Sequence, residues 1–306
     1  MSDLALGRKS QSTWALAGRR FLKHKLALAS GCYLLFICAL SASAPLFEML
    51  RNIDANQANL FARFALPSFD AWLGRDELGR DVFTRLLYGG QVSLLVGLVT
   101  ALVAATFGTI IGLIAGYRGG WVDAILMRLT DSVISLPLLP LLIVLAAIDL
   151  NKSGLPYAIV HAENISLYRI VFIVAVVGWT TVARLVRGAT LSLRERDFVL
   201  AAKVQGASAF RIMSVHILPN LISPIVVATT LSIGNIILLE SVLSFLGLGI
   251  QPPVASWGNL LTNAQELIFS APWLAFYPGI AIFITVIAFN FLGDGLQDAL
   301  DPKAEN

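Results

Sequence analysis

The chain has 306 residues, 57% of them apolar and only 13% charged, with a net charge of +3, whereas an ordinary soluble domain carries roughly 25% charged residues. With a mean hydropathy of +0.78, this composition excludes a soluble globule or a disordered tail and marks a polytopic membrane protein. The small positive balance calls for no nucleic-acid partner, and the lipid bilayer is the first partner expected.

A bilayer core about 30 Å thick needs about 20 helical residues at 1.5 Å each. Six apolar runs of about that length stand at 26–47, 92–117, 133–150, 170–186, 221–246 and 273–292. They do not alternate in polarity, and backbone in lipid must satisfy its own hydrogen bonds, so helices are predicted rather than barrel strands. No fixed-period repeat or low-complexity tract interrupts them, so one membrane domain is expected. A tail over 1–25 precedes a first span and outer loop over 26–91. A core over 92–293 and a tail over 294–306 follow.

The basic N-terminus, the run 26–47 and Ala42-Ser43-Ala44 imitate a signal peptide. The run is long enough to span and Pro45 would follow the cut, so it is expected to be retained as the first span. Cys32 and Cys38 lie six apart inside it, on different helix faces, and read as inert small apolar residues. Within 74–94, Asp76 precedes Arg80 and Asp81 precedes Arg85 by four, the acid-first spacing that predicts a short surface helix. Leu78, Val82, Phe83, Leu86 and Leu87 would give that helix an apolar face for the membrane surface or a neighbour.

Gly108, Gly112 and Gly116 form a small-residue stripe in the second span, for close approach to one of the chain's own helices or to another subunit. Pro137 and Pro140 predict a kink in the third. Two carboxylates, Asp131 and Glu240, fall near or within spans. Intramembrane charge marks a pathway or gate, or else pairs with polar groups on a neighbouring helix.

Between the fourth and fifth runs lies FVLAAKVQGASAFRIMSVHILPN, residues 198–220. Apolar residues recur at three and four, first at Phe198, Ala201, Ala202 and Val204, then at Phe210, Met213 and Ile217. Gly206 separates the two sets where a positive φ is cheap, and Pro219 is expected to end the second. Two short amphipathic helices at an angle are predicted. They would lie flat on lipid, fold back on the bundle, or offer an apolar knob to a partner. If both termini are cytoplasmic, that side collects 15 of the 22 Lys and Arg, including Arg184, Arg187, Arg194, Arg196, Lys203 and Arg211, and the stretch faces the cytoplasm.

Several chemistries lack their residues in the sequence. His24, His161 and His216 all fall outside the apolar runs. There is no H-E-x-x-H, G-x-S-x-G or Cys/His cluster, so neither a hydrolase nor a metal site is expected. The glycine loop and lysine of an ATP-binding P-loop are missing as well, so nucleotide-driven transport would need ATP bound by another polypeptide. An ion-coupled secondary carrier built on Asp131 and Glu240 is the alternative.

The run Ala201-Ala202, Gly206 and Ile217-Leu218-Pro219 resembles the EAA motif of permease subunits of binding-protein-dependent ABC importers, with Leu200 standing where the motif has glutamate. Asp76 to Asp81, Arg85 to Gly89, Ser244 to Gly249, Pro252-Pro253, Ser256 to Asn259 and His216 to Asn220 resemble the C-type permeases of dipeptide, oligopeptide and nickel importers. The resemblance implies an all-α integral membrane protein of the type I ABC importer permease fold, with about six transmembrane helices. A cytoplasmic coupling loop over 194–220 would join spans four and five. It also implies a bacterial inner-membrane location with both termini cytoplasmic, and no cofactor in this chain. The implied partners are a homologous second permease, two ATPase subunits that bind ATP and Mg, and an extracytoplasmic solute-binding protein. Carried onto this chain, Ala207 to Ser214, with Ser208 and Arg211, would form the coupling helix, and Phe210 its knob.

Overall fold

The computed structural model describes residues 13–152, 154, 156–160, 162 and 164–300. Arg8, Lys9, His161 and Lys303, with the rest of 1–12 and 301–306, lie outside the described residues.

Regular structure among the described residues is helical: α1 Thr13–Lys23, α2 Lys25–Ala42, α3 Ala44–Arg51, α4 Val82–Arg118, α5 Gly120–Ser135, α6 Leu138–Ala146, α7 Tyr157–Val160, α8 Ile165–Leu193, α9 Asp197–Val204, α10 Ala209–Arg211, α11 Leu218–Phe245, α12 Ala264–Leu267 and α13 Trp273–Leu300. Among the described residues five helical segments are long and apolar enough to cross a membrane, or six if the bent pair α5–α6 counts as one span.

α4 and α8 run parallel, and α11 lies antiparallel to both. The stripe seen in the sequence makes the α4–α8 contact: a Cβ on Gly112 would stand 2.6 Å from the Ala183 carbonyl oxygen, and one on Gly116 2.7 Å from Thr190 Cβ. Only glycine admits that approach, so the stripe is spent within the subunit. Gly97 does the same for α11, where a Cβ would meet Ile237 Cγ1 at 2.6 Å. Around these seams Val96, Leu142, Ile170, Val174, Ile237 and Leu243 close the main core. α2 and α13 pack alongside, and Tyr33 Oη lies 3.2 Å from Thr285 Oγ1.

The bundle has two ends. The proximal end carries α9 and α10, the start of α2 and the end of α13. The distal end carries residues 52–81 and 246–272.

Three sequence expectations change. The surface helix over 74–94 is absent: residues 74–81 form an irregular loop, and helix begins at Val82, continuous with the second span. Gly74 and Gly79 take φ of +79° and +74°, and an isolated antiparallel bridge joins Arg75 to Asp81. Asp76 still binds Arg80, at 2.7 Å, but also meets Arg85 at 3.7 Å, while Asp81 caps α4 by accepting from Thr84 N and pairs with Arg51 at 3.3 Å. These acids therefore fasten a loop.

The third span is broken rather than kinked, with α5 and α6 meeting at 86°. Leu136, the residue before Pro137, is extended at φ −78°, ψ 138°, the geometry proline imposes on its predecessor. Pro219, finally, ends no helix. The chain winds from Ala209 to Phe245 through a wide π-helical turn at Ile212–Ile217, and Pro219 sits in the first turn of α11, where a missing N–H is tolerated.

Candidate coupling loop and the intramembrane carboxylates

At the proximal end α8 stops at Leu193, and Arg194 reaches back to α4, its Nη1 donating to the Gly116 carbonyl at 3.0 Å. α9 follows, and its termination sets the shape of the element. Gly206 N donates to Lys203 O at 3.1 Å and Ala207 N to Ala202 O at 3.0 Å, with Gly206 at φ +82°. This is a Schellman closure, which satisfies the last carbonyls and turns the chain. Ser208 then caps the next helix, its Oγ accepting from Arg211 N at 3.3 Å.

The bend sorts the side chains. Val199, Ala202, Ile212 and Ile217 are buried with Val182, Val186 and Leu221, and Ala207, Met213 and Leu218 are packed against them. The element is therefore seated on the bundle. On its outer side Phe210 is 76% exposed and Val204 89%, with Val215, Ala201, Ser208, Lys203 and Arg211 also exposed. Phe210 does not pack back onto its own bundle. Leu200, at the motif's glutamate position, is exposed too.

A Cβ at Gly206 meets nothing within 4 Å, so a substitution there costs only backbone conformation. Gly206→Val is expected to lose about 1–2 kcal/mol through its left-handed φ. Gly206→Asn, a residue that tolerates this region, should lose less. Thermal melts of the purified protein check the order Gly, Asn, Val; equal melts would mean the positive φ is not held.

The two carboxylates occupy different settings. Asp131, on α5, pairs with Arg184 of α8 at 2.5 Å, and both side chains are at least half exposed. Nearby, Asp123 holds Arg187 through two hydrogen bonds, one of 2.6 Å from Nη2. Together the pairs moor α5 to α8.

Glu240 is completely buried. Ser93 Oγ of α4 donates to its Oε2 at 3.0 Å and Ser244 Oγ to its Oε1 at 2.7 Å. Sequence reading gave no signal for Ser93, which lies 147 positions away. The structure thus pairs Asp131 with a neighbouring helix and Glu240 with a neighbouring helix and its own, and does not bring the two acids together. Among the described residues no group of three or more His, Cys, Asp or Glu could hold a metal. Cys32 and Cys38 are free thiols.

On the flank where α5 breaks into α6, a groove of about 420 Å³ runs beside α8 and α11. Apolar residues line most of it, with Thr180, Thr181, Ser232 and Asn235 as its polar members. Thr181 and Asn235 are exposed although they lie mid-span.

Comparison with known proteins agrees with this architecture. Residues 108–306 match the family described as binding-protein-dependent transport system inner membrane component. Residues 12–62 match the N-terminal TM domain of oligopeptide transport permease C. The chain is 42% identical to the dipeptide transport system permease protein DppC of Bacillus subtilis (strain 168), over 97% of this chain and 88% of that protein. It is 39% identical to the glutathione transport system permease protein GsiD of Pectobacterium atrosepticum, over 97% of this chain and 93% of that one. To the oligopeptide transport system permease protein OppC of Bacillus subtilis (strain 168) it is 37% identical, over 97% and 92%. With a match over most of its length and relatives of this closeness, the chain belongs to the binding-protein-dependent transport system inner membrane component family.

Proposed function

We propose that the chain is the permease subunit of an ATP-driven peptide importer, forming half of the translocation pathway. It alternates access under the action of partner ATPases that bind ATP and Mg. The observation that carries the reading is the seated but outward-facing element at 197–217: a rigid bend at Gly206, an anchored side at Ile212 and Ile217, and an exposed Phe210. Such a knob suits a groove on a second polypeptide, and an importer whose own chain lacks a nucleotide loop needs that polypeptide.

In this reading both termini and residues 194–220 face the cytoplasm, as the distribution of Lys and Arg favours. The distal end receives the extracytoplasmic solute-binding protein. Domain assignments follow the same plan: a basic tail over 1–25, a span and outer loop over 26–91, and the permease core over 92–293. Di- or oligopeptides are the solutes we favour, because relatives are named for dipeptide, oligopeptide and glutathione transport; nickel is a second solute to assay.

The groove beside α5–α6 supports a shared pathway. Polar side chains within spans turn to a bundle interior or a water-filled cavity, and exposed Asn235 and Thr181 line a groove that the single subunit leaves open. A second permease closing over this flank would supply it. Asn235→Leu is expected to cut the transport rate about tenfold while assembly persists; uptake assays on the assembled transporter check this, and an unchanged rate would remove the flank from the pathway.

Transport in proteoliposomes tests the whole reading. Uptake should require both permeases, the ATPases, ATP and the binding protein. Uptake driven by an ion gradient with the ATPases omitted would support the secondary carrier instead, a reading to which an ion-paired Asp131 and an enclosed Glu240 lend nothing.

A further inference from the structure

Residues 246–263 carry almost no regular structure, only a short 3-10 turn at Asn259–Leu261, yet 249–250 and 255–258 are buried against α4 and α11. Trp257 is 1% exposed, and Ser256 and Ile250 are equally enclosed. The approach is at backbone range: a Cβ on Gly89 would stand 3.1 Å from Trp257 N, and one on Gly258 would stand 2.5 Å from Ser241 Cα. Irregular backbone at such a depth leaves amide hydrogens that water cannot reach, and each must find a protein acceptor.

Two of those amides reach Glu240 through serine relays. Trp257 N donates to Ser93 Oγ at 3.1 Å, and Ser93 Oγ donates onward to Glu240 Oε2. Ile250 N donates to Ser244 Oγ at 3.1 Å, and Ser244 Oγ donates to Glu240 Oε1. Each hydroxyl has one proton; by accepting it, the carboxylate turns the serine lone pairs toward the loop. The loop closes on itself as well: Asn259 Oδ1 accepts from Ser256 N, and Ser256 Oγ accepts from Asn259 N.

We propose that Glu240 is a positioning residue for residues 246–263, holding this loop as the distal closure of the pathway through Ser93 and Ser244. A pathway-lining carboxylate would present an oxygen to solute; both oxygens here are engaged, and the side chain is completely buried. The loop itself does face open space. Gln251, Pro252, Asn259 and Leu260 line a distal cavity of about 300 Å³ together with Arg80 and Glu77. Movement of the loop therefore changes access at the end opposite the coupling element. The functional consequence rests on the transport reading, whereas the loop's dependence on Glu240 does not.

The test uses the complete purified transporter with Cys32→Ser and Cys38→Ser and a single reporter, Ala255→Cys, at a position only 6% exposed. Maleimide labelling of that reporter should rise about tenfold in Glu240→Ala and in Ser93→Ala, and by less in Glu240→Gln, which still accepts from one serine. A Val204→Cys reporter at the proximal end should label at one rate throughout. ATP hydrolysis without binding protein should rise together with distal labelling. Where Glu240→Ala fails to assemble, Ser93→Ala decides. Unchanged labelling of the Ala255→Cys reporter in Ser93→Ala and Glu240→Ala would overturn the proposal. So would transport lost in Glu240→Ala with that reporter still protected, which would put Glu240 on the solute path. If the assembly carries no peptide at all, the transport reading fails while the labelling still reports on the loop.

Discussion

Phe210→Asp is expected to abolish solute-stimulated ATP hydrolysis and transport while leaving the permease folded. The side chain is 76% exposed, so nothing in the subunit's own core depends on it. Its seat is independent of it too, being made by Ile212, Ile217, Val199 and Ala202. If the ring fills a groove on the ATPase, replacing it by a carboxylate removes an aromatic anchor and buries an unpaired charge. Aromatic anchors at interfaces are worth about 2–4 kcal/mol on truncation, which is about 30-fold or more in affinity. Co-purification of the ATPases at limiting concentration and the transport rate measure this. A Phe210→Asp subunit that binds and transports normally would remove Phe210 from the contact. Phe210→Tyr and Phe210→Leu should keep most of the function, since area and shape matter more there than aromaticity.

The second large effect belongs to the α4–α8 seam. Gly112→Leu places its Cβ 2.6 Å from the Ala183 carbonyl and 2.8 Å from Val186 Cβ, atoms fixed in a facing helix. The helices must part, and overpacking of this kind costs about 1–3 kcal/mol or more. A fall of about 5 °C in the heating midpoint is expected, read by size-exclusion after heat challenge. The Arg194 tether to Gly116 also crosses this seam, so transport should fall as well. Gly188 is the internal control: no atom lies within 4 Å of a Cβ there, so Gly188→Ala should be neutral or slightly stabilising. Equal melts for Gly112→Leu and Gly188→Ala would contradict the close-approach account.

Much of this architecture is written locally. A run of 17–25 apolar residues specifies a spanning helix without reference to the rest of the chain, and so the all-helical bundle and its spans were legible. Glycines at spacing four announce a close approach, though not to which helix; Trp179, Ala183 and Arg187, which stand opposite, are more than 70 positions away. Gly206 was legible for the same reason, since a glycine between two amphipathic sets has few other uses.

Other features depended on partners far away in sequence. The acid-first pairs of residues 76–85 look helical by spacing, yet Gly79 packs against the backbone of Asn59, and a loop wins over the helix. Pro219 looked like a stop because proline cannot supply an interior helical N–H. The wide turn before it moves proline into a first turn, and no local pattern announces a π-helical turn. Glu240 was visible as an intramembrane acid, but its setting was not. Its partners are Ser93 in another helix and Ser244 one turn further along its own, and both serines also receive amides of a loop distant from Ser93 in sequence.

On the proposed function, residues 197–217 form the surface through which an ATPase drives this subunit. Photo-cross-linking from a benzophenone attached at Phe210→Cys in the assembled transporter tests it most directly, with Phe269→Cys, 97% exposed at the distal end, as the reference position. Both probes need the background with Cys32→Ser and Cys38→Ser. An adduct between position 210 and an ATP-binding subunit is expected, changing in yield between nucleotide-free and ATP-bound states, with no such adduct from position 269. Adducts from position 210 only to lipid or to the permease itself, in every nucleotide state, would contradict it.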